Sequence, residues 1–189
     1  AASIGGYSSF IRSAERTKCQ ELVNETATAL TLLYQKEGNW PRRLATNGST
    51  DGKLDAETAR ALKDYMTLDC DASGKLQGID RFGIVSPWAR DVIKRLAAKG
   101  AGPLSAKVPS GGTIDDHILR YALDLDGDGI IEGANVGGTP VSVRATAIVW
   151  SCGKDGVISP YPYASGGKGS KGRGDDIYSW TPGQTKNVK

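Results

Sequence analysis

A single α+β domain, with a long N-terminal α-helix packed on a small antiparallel β-sheet, is the fold that the sequence predicts. Apolar and small residues follow a three-to-four spacing through the N-terminal region, which is typical of an amphipathic helix. Between residues 119 and 149 the period changes to two, which is typical of half-buried strands. We therefore divide residues 1–189 into a long helix over 7–37, two short helices with loops over 38–116, and a sheet with a C-terminal loop over 117–189.

The first helix is predicted from about Ser8 to Glu37. The residue after it, Gly38, can adopt the left-handed conformation that ends many helices. About thirty residues at ~1.5 Å each give a rod of roughly 45 Å, which either spans a small domain or extends beyond it. Its apolar stripe is formed by Ile11, Ala14, Cys19, Leu22, Thr26, Ala29, Leu30 and Leu33.

Two shorter helices are predicted after the rod exits through Gly38-Asn39-Trp40-Pro41. Asp55 is a candidate N-cap for the first, which we expect to end near Asp69. Ser86 and Pro87 precede the second, predicted over 88–99 with Gly100 closing it. The stretch over 74–83 is predicted to be irregular. The segment over 101–112 reads as a linker, and we expect 47–112 to contain an insertion.

Two strands are predicted where odd-numbered positions are apolar. The first runs over 118–125 and the second over 141–150, with a glycine-rich hairpin connection between them. A tight turn follows Trp150, and Asp175 to Trp180 is predicted to form a last short strand. The apolar alternating positions are Leu119, Tyr121, Leu123 and Leu125 in the first strand, and Val141, Val143, Ala145, Ala147 and Val149 in the second.

Charge and cysteine content narrow the functional classes. The 24 basic and 21 acidic residues give a net charge of +3, which by itself requires neither nucleic acid nor acidic lipid as a partner. No apolar run approaches the ~18 residues that a membrane span requires. The three cysteines, Cys19, Cys70 and Cys152, lack the paired spacing of a zinc site. The sequence is compatible with one disulfide in any of three pairings and equally with three buried thiols.

The run from Asp124 to Glu132 resembles a calcium-binding loop. Asp124, Asp126 and Asp128 occupy its first, third and fifth positions, and Gly129 the sixth. The twelfth position is Asn135 instead of a bidentate glutamate, and the run follows a predicted strand instead of a helix. Because Asp-Gly pairs between alternating apolar runs are also hairpin signals, we favour an ordinary turn here.

Candidate catalytic residues are few. His117 is the sole histidine, and neither Ser151 nor Cys152 can be linked to a base from the sequence, so we interpret His117 as a polar strand residue. Lys168, Lys171 and Arg173 lie near tyrosines in the C-terminal loop and offer a candidate nucleic-acid or partner-binding surface. Solvated loop charge is the favoured interpretation of that cluster.

Taken together, several motifs in order resemble those of the type IV pilin-like superfamily, and most closely the major pseudopilin of type II secretion. The amphipathic rod leaves through Gly38-Asn39-Trp40-Pro41 and Leu44. The later motifs are the strand 121–124, the turn 150–156 and the closing run 175–180. The two extra helices have no counterpart in the simple family pattern. Ile114-Asp115-Asp116-His117 stands where the family has Asp-Pro-Trp-Gly.

This resemblance implies a structural subunit of a type II pseudopilus or type IV pilus-like filament, not an enzyme. Its implied partners are other pilin or pseudopilin subunits. A hydrophobic half-helix ahead of this chain would anchor it in the inner membrane, with a periplasmic or extracellular head or a place in a surface filament. The alternatives are a surface pilin that binds a partner or DNA through the basic loop, and a small hydrolase that uses Cys152 or a carboxylate pair.

The resemblance also implies calcium in the C-terminal loop. By position, its ligands would be Asp155, the carbonyl of Cys152, and Asp175 or Asp176. Oxygen ligands suit this hard cation. We expect any bound calcium there rather than at Asp124, Asp126 and Asp128. The basic residues of the loop argue against a divalent cation at that position.

Overall fold

The structure, a computed structural model, describes residues 3–99, 102–161 and 174–186, with side chains from Ala14 onward. It is a mixed fold of helices and antiparallel sheets, as predicted. The helices are α1 Ser3–Glu37, α2 Arg42–Asn47, α3 Ala56–Ala59 and α4 Pro87–Ala97. The strands are β1 Gly52–Lys53, β2 Arg120–Leu123, β3 Ile131–Val136, β4 Thr139–Val143, β5 Ala147–Ser151, β6 Ile177–Tyr178 and β7 Thr185–Lys186.

The long helix α1 packs on the sheet through its apolar stripe. Thr26 is buried in that stripe, and its hydroxyl donates to the Leu22 carbonyl at 2.7 Å, so the burial leaves no unpaired donor. The helix ends at Gly38, whose φ is +72° and whose N–H donates to the Tyr34 carbonyl. Of the predicted stripe, Cys19, Thr26, Ala29, Leu30 and Leu33 are buried. Leu22 is only partly buried, and Val23, which the predicted stripe does not include, is fully buried instead.

Two sheets form the β part of the fold. The first has the strand order β1-β2-β5-β6, and the second has the order β3-β4-β7. In the first sheet, β2 pairs antiparallel with β5, and Tyr121 lies opposite Val149. Tyr121 and Val149 pack toward α1, whereas Ala122, Ile148 and Trp150 pack toward the second sheet. The two central strands are therefore buried on both faces.

The predicted strand over 141–150 is wrong in one respect, because the structure divides it between the two sheets. Val143 ends β4 in the second sheet, and Ala147 begins β5 in the first. At the break, the Arg144 N–H donates to Gln184 and the Thr146 carbonyl accepts from Asp124. The alternation of apolar residues continues through this bend because the apolar residues of β4 are buried in the second sheet and those of β5 in the first.

The first predicted strand is also shorter than expected. Strand β2 ends at Leu123, so Leu125 is 48% exposed instead of buried, and Ala122 is buried instead of exposed. The closing strand is limited to Ile177–Tyr178.

The inserted segment contains helices, but their extents differ from the prediction. Asp55 does cap a helix, since its carboxylate accepts from the Thr58 N–H at 2.8 Å, but α3 ends at Ala59 and continues only as a 3-10 turn to Leu62. Helix α4 follows Ser86 as predicted and packs Val92 and Ile93 in a third apolar cluster. Among the described helices, none combines the length and apolar content needed to cross a bilayer.

Candidate functional site

The C-terminal turn and the closing segment meet, as the family resemblance implied. Gly153 turns with a φ of +68°, and the Asp175 carboxylate accepts from the N–H groups of Lys154 at 2.7 Å and Asp155 at 3.1 Å. Helix α1 joins the same place, because the Arg16 guanidinium donates to the Asp175 carbonyl at 3.1 Å. Three distant parts of the chain are therefore linked at Asp175.

Asp176 is buried beside this turn, with 7% of its surface exposed. One carboxylate oxygen accepts from the Ser159 N–H at 2.8 Å and the Tyr178 hydroxyl at 3.4 Å. The other oxygen, Oδ1, is buried and has no partner among the described residues, and the same is true of Asp175 Oδ1. Burial first, and then repulsion from Asp175 and Asp155, raise the pKa of Asp176 to about 7.

Asp155 lies in the same turn. Its carboxylate accepts from the Val157 N–H at 2.9 Å. Partial burial raises its pKa above the ordinary value, and the nearby Asp175 adds to the effect. A cation near Asp155, Asp175 and Asp176 would reverse these shifts, because it favours the charged form of each carboxylate.

Among the described residues, the alternative metal loop is the group whose carboxylates are close enough to share a metal ion, whereas those of Asp155, Asp175 and Asp176 do not form such a group. One oxygen from each of Asp124, Asp126 and Asp128 lies within 4.8 Å of the others. Asp124 is buried and accepts from the N–H groups of Gly127 and Gly129, both at 2.8 Å. The loop continues directly into β3, where Asn135 pairs with Pro140, so neither a closing carboxylate nor a helix follows it.

A third loop with calcium-loop spacing lies over 69–80, in a stretch that is predicted only as partly irregular and not as a metal site. The Asp71 carboxylate accepts from the Ser73 N–H at 2.9 Å and the Lys75 N–H at 3.0 Å. The signal was present in the sequence, because acidic or polar residues and a glycine occupy the ordered positions of a twelve-residue loop. They are Asp69, Asp71, Ser73, Gly74, Gln77 and Asp80.

His117 is not the polar strand residue that the sequence suggested. It is fully buried and lies ahead of β2. Its Nε2 lies 2.9 Å from the Gly111 carbonyl, which assigns the proton to Nε2 and makes Nδ1 an acceptor. The Ser86 hydroxyl donates to Nδ1 at 2.7 Å, and Cys152 Sγ lies 3.7 Å from the same nitrogen. The three residues come from segments that are distant in sequence, so no local sequence motif predicts this cluster.

The chemistry of the cluster does not favour a nucleophile. Burial raises the pKa of Cys152, and Asp176 and Asp155 raise it further, so the thiol stays protonated. Burial lowers the pKa of His117 and keeps the imidazole neutral. Cys19, Cys70 and Cys152 are all free thiols. The arrangement is that of hydrogen-bonded core residues.

The basic loop residues Lys168, Lys171 and Arg173 lie outside the described residues, so their proposed binding role stays a prediction. Comparisons of the chain with known protein families, with curated proteins and with solved structures return no match.

Proposed function

We propose that this protein is a structural subunit of a pilin-like filament, either a type II secretion pseudopilus or a related type IV pilus. The observation that carries the proposal is the two-sided use of α1. One side packs on the sheet, while Asn24, Thr28 and Leu32 on the other side are exposed in the part of the chain that the structure describes. Leu32 is 46% exposed on the surface of the folded chain. We refer to the chain of residues 1–189, without the proposed upstream half-helix, as the head.

The exposed side of α1 suits helix packing between subunits. A groove of about 520 Å³ runs along it, lined by small and polar residues and by Leu32. Small residues let another helix approach closely, and an exposed leucine gains from burial. The groove is lined by Asn24, Ala27, Thr28, Thr31, Leu32, Gln35 and Ser179. The partners in this proposal are other copies or related subunits.

In this proposal, an apolar half-helix ahead of residue 1 anchors the subunit in the inner membrane before assembly, and the head lies on the periplasmic or extracellular side. The order of the motifs supports this placement. The protein then acts through assembly and not through catalysis, which agrees with the protonated state of Cys152.

We also propose calcium at the C-terminal turn. Its support is the pair of buried oxygens, Asp175 Oδ1 and Asp176 Oδ1, that lack hydrogen-bond partners among the described residues. A buried acceptor without a partner is costly, and a hard cation would satisfy it. Asp155 and the Cys152 carbonyl would complete the protein ligands. The loop of Asp124, Asp126 and Asp128 remains the alternative.

The filament proposal is tested with Leu32→Asp in the full-length protein, with its native upstream residues, expressed in its native host. We expect filaments in the sheared fraction for the wild type and none for the variant, because the substitution places a charge in the helix contact. Leu104→Asp is the matched control, since Leu104 is 42% exposed but lies outside α1 and outside both loops proposed for calcium. A wild type that forms no filaments, or a Leu32→Asp variant that assembles normally, contradicts the proposal.

A further inference from the structure

A basic surface lies on and around α4. It consists of exposed Lys94, Arg95, Lys99 and Lys107 and half-buried Lys154. None of the five forms an ion pair within 4.0 Å with a described residue. Clefts of about 580 Å³ and 270 Å³ flank the helix, and both are lined in part by these cations. Two carboxylates, Glu15 and Asp91, also line the larger cleft, so the cations outnumber them.

An acidic surface lies at the Asp124 loop. Asp126, Asp128 and Glu132 are exposed and have no ion-pair partner within 4.0 Å among the described residues. Asp124 is not counted, because it is buried and two backbone N–H groups satisfy its carboxylate.

The two surfaces lie toward opposite ends of α1. Glu15 lines the cleft beside α4, which places the basic surface near the N-terminal end of the described side chains. At the other end, the indole of Trp40 donates to the Asp124 carbonyl at 2.6 Å and stacks on Tyr34. From residue 15 to residue 34 is 19 residues, or about 28 Å of helix at ~1.5 Å each. That separation is several times the ~8 Å Debye length at physiological salt, so the surfaces act independently.

We propose that the basic surface of one copy docks on the acidic surface of the next. The partner is a second copy of this chain, because one molecule carries both complementary surfaces at separate places. A contact between two different surfaces is heterologous, and unless it closes into a ring it continues from copy to copy as a filament. Exposed charges of this kind fix orientation and register more than they add affinity. The contact thus identifies which surfaces of neighbouring subunits meet within the filament proposed above, and it rests on that proposal for its biological role.

Charge reversal gives a sharp test. Lys94→Glu with Arg95→Glu removes most of the positive charge of the basic surface, and Asp126→Lys with Asp128→Lys makes the acidic surface basic. Sedimentation of concentrated heads is measured at low and high salt, with chelator present to remove divalent cations. Lys63→Glu with Lys75→Glu is the matched control for the first of these variants, because it makes the same change in net charge at exposed positions outside both surfaces.

We expect salt-sensitive association of the wild type and the control, monomers for each charge-reversed head alone, and restored association when the two are mixed. Monomeric wild-type heads at low salt, or association of either reversed head alone, would overturn the contact. The full-length protein separates the two proposals. Normal filaments with both reversed variants overturn the contact but leave the filament proposal standing. Associating heads in a protein that never forms filaments overturn the filament proposal but not the contact.

Discussion

Asp176 shows how a single residue can link the tail of this protein to solution conditions. Its carboxylate is held by the Ser159 N–H, but the other oxygen is buried without a partner among the described residues. A proton, which the carboxyl holds below about pH 7, is the simplest way to avoid a buried charge, and a bound cation would be the other. The ionisation of Asp176 should therefore respond to pH, and it would also respond to a bound cation.

Asp176→Asn is expected to stabilise the protein at alkaline pH. Because folding raises the pKa of Asp176 from 3.8 to about 7, the folded state holds a proton that the unfolded state releases above about pH 4. Its contribution to stability is therefore complete below pH 4 and is lost as the pH rises through 7. In chelator at pH 8, we expect Asp176→Asn to raise the free energy of unfolding by about 2 to 4 kcal/mol, with little change at pH 4.

Asp116→Asn is the opposing control for that measurement. Burial is the largest influence on Asp116 and raises its pKa, but hydrogen bonds from the Thr113 hydroxyl and N–H together lower it below the ordinary value. The ionised form is thus favoured by folding, so this variant should lose stability at pH 8. Denaturant titrations at pH 4 and pH 8 measure both variants. Equal pH dependence in wild type and Asp176→Asn would show that Asp176 ionises normally.

Gly153→Ala should be strongly destabilising. Gly153 has a φ of +68°, and a Cβ there would collide with the backbone of Asp175, which holds the C-terminal turn in place. Gly138→Ala is the matched control, because Gly138 has a φ of +85° but open space around it. We expect the control to lose about 1 kcal/mol from backbone strain and Gly153→Ala to lose more than about 2 kcal/mol. Urea midpoints compare them, and equal losses would refute the steric argument.

At the scale of elements, α1 has two sides that should respond differently to the same substitution. Leu30 is fully buried against the sheet, whereas Leu32 is 46% exposed. Leu30→Asp buries an unpaired charge and should lower the free energy of unfolding of the isolated head by several kcal/mol. Leu32→Asp should change it by less than about 0.5 kcal/mol. Thermal unfolding measures both, and similar losses would mean that Leu32 is also a core residue.

The two loops proposed for calcium, the C-terminal turn and the Asp124 loop, can be separated by melting curves in millimolar calcium and in chelator. We expect calcium to raise the melting temperature of wild type and Asp126→Ala but not of Asp155→Ala. Binding to the folded state alone stabilises by RT ln(1 + [Ca]/Kd), or about 2.7 kcal/mol at a hundred times Kd. A shift lost only in Asp126→Ala would place calcium at the Asp124 loop. No shift in the wild type would contradict calcium binding at both.

For the whole molecule, the central strands β2 and β5 connect two apolar clusters. Their residues pack toward α1 on one face and toward the β3–β4 hairpin on the other. If either α1 or the β3–β4 hairpin detached, one apolar face of β2 and β5 would be exposed to water. We therefore expect the helix, the central strands and the hairpin to unfold together. Helix circular dichroism should follow α1. Fluorescence of Trp150 and Trp180, in a variant with Trp40→Phe and Trp88→Phe, should follow the second cluster.

Coincident transitions from the two signals are the expected result. The fluorescence variant needs a matched circular dichroism curve, because Trp40 donates a hydrogen bond to Asp124 and its loss shifts the midpoint of both signals. Two separated transitions in the same variant would show that the hairpin layer unfolds on its own.

The sequence by itself determined the features that depend on interactions between residues close together in the chain. The stop of α1 at Gly38 and the Asp55 cap depend on a few adjacent residues, and both are observed. The meeting of Asp155 with Asp175 was also predicted, but from the family resemblance, and it is observed as well. The pilin-like class remains a prediction.

Only the tertiary structure decided which elements the segments with apolar periodicity pack against. The alternation of apolar residues shows that every second residue is buried, but it does not show which element buries it. The pattern therefore continues through the bend between β4 and β5 and does not mark the change of sheet. His117, Ser86 and Cys152 come from three separate segments and meet only when the chain has folded. The Asp176 oxygen that has no hydrogen-bond partner among the described residues has the same origin, because burial without a hydrogen bond depends on neighbours that no local pattern specifies.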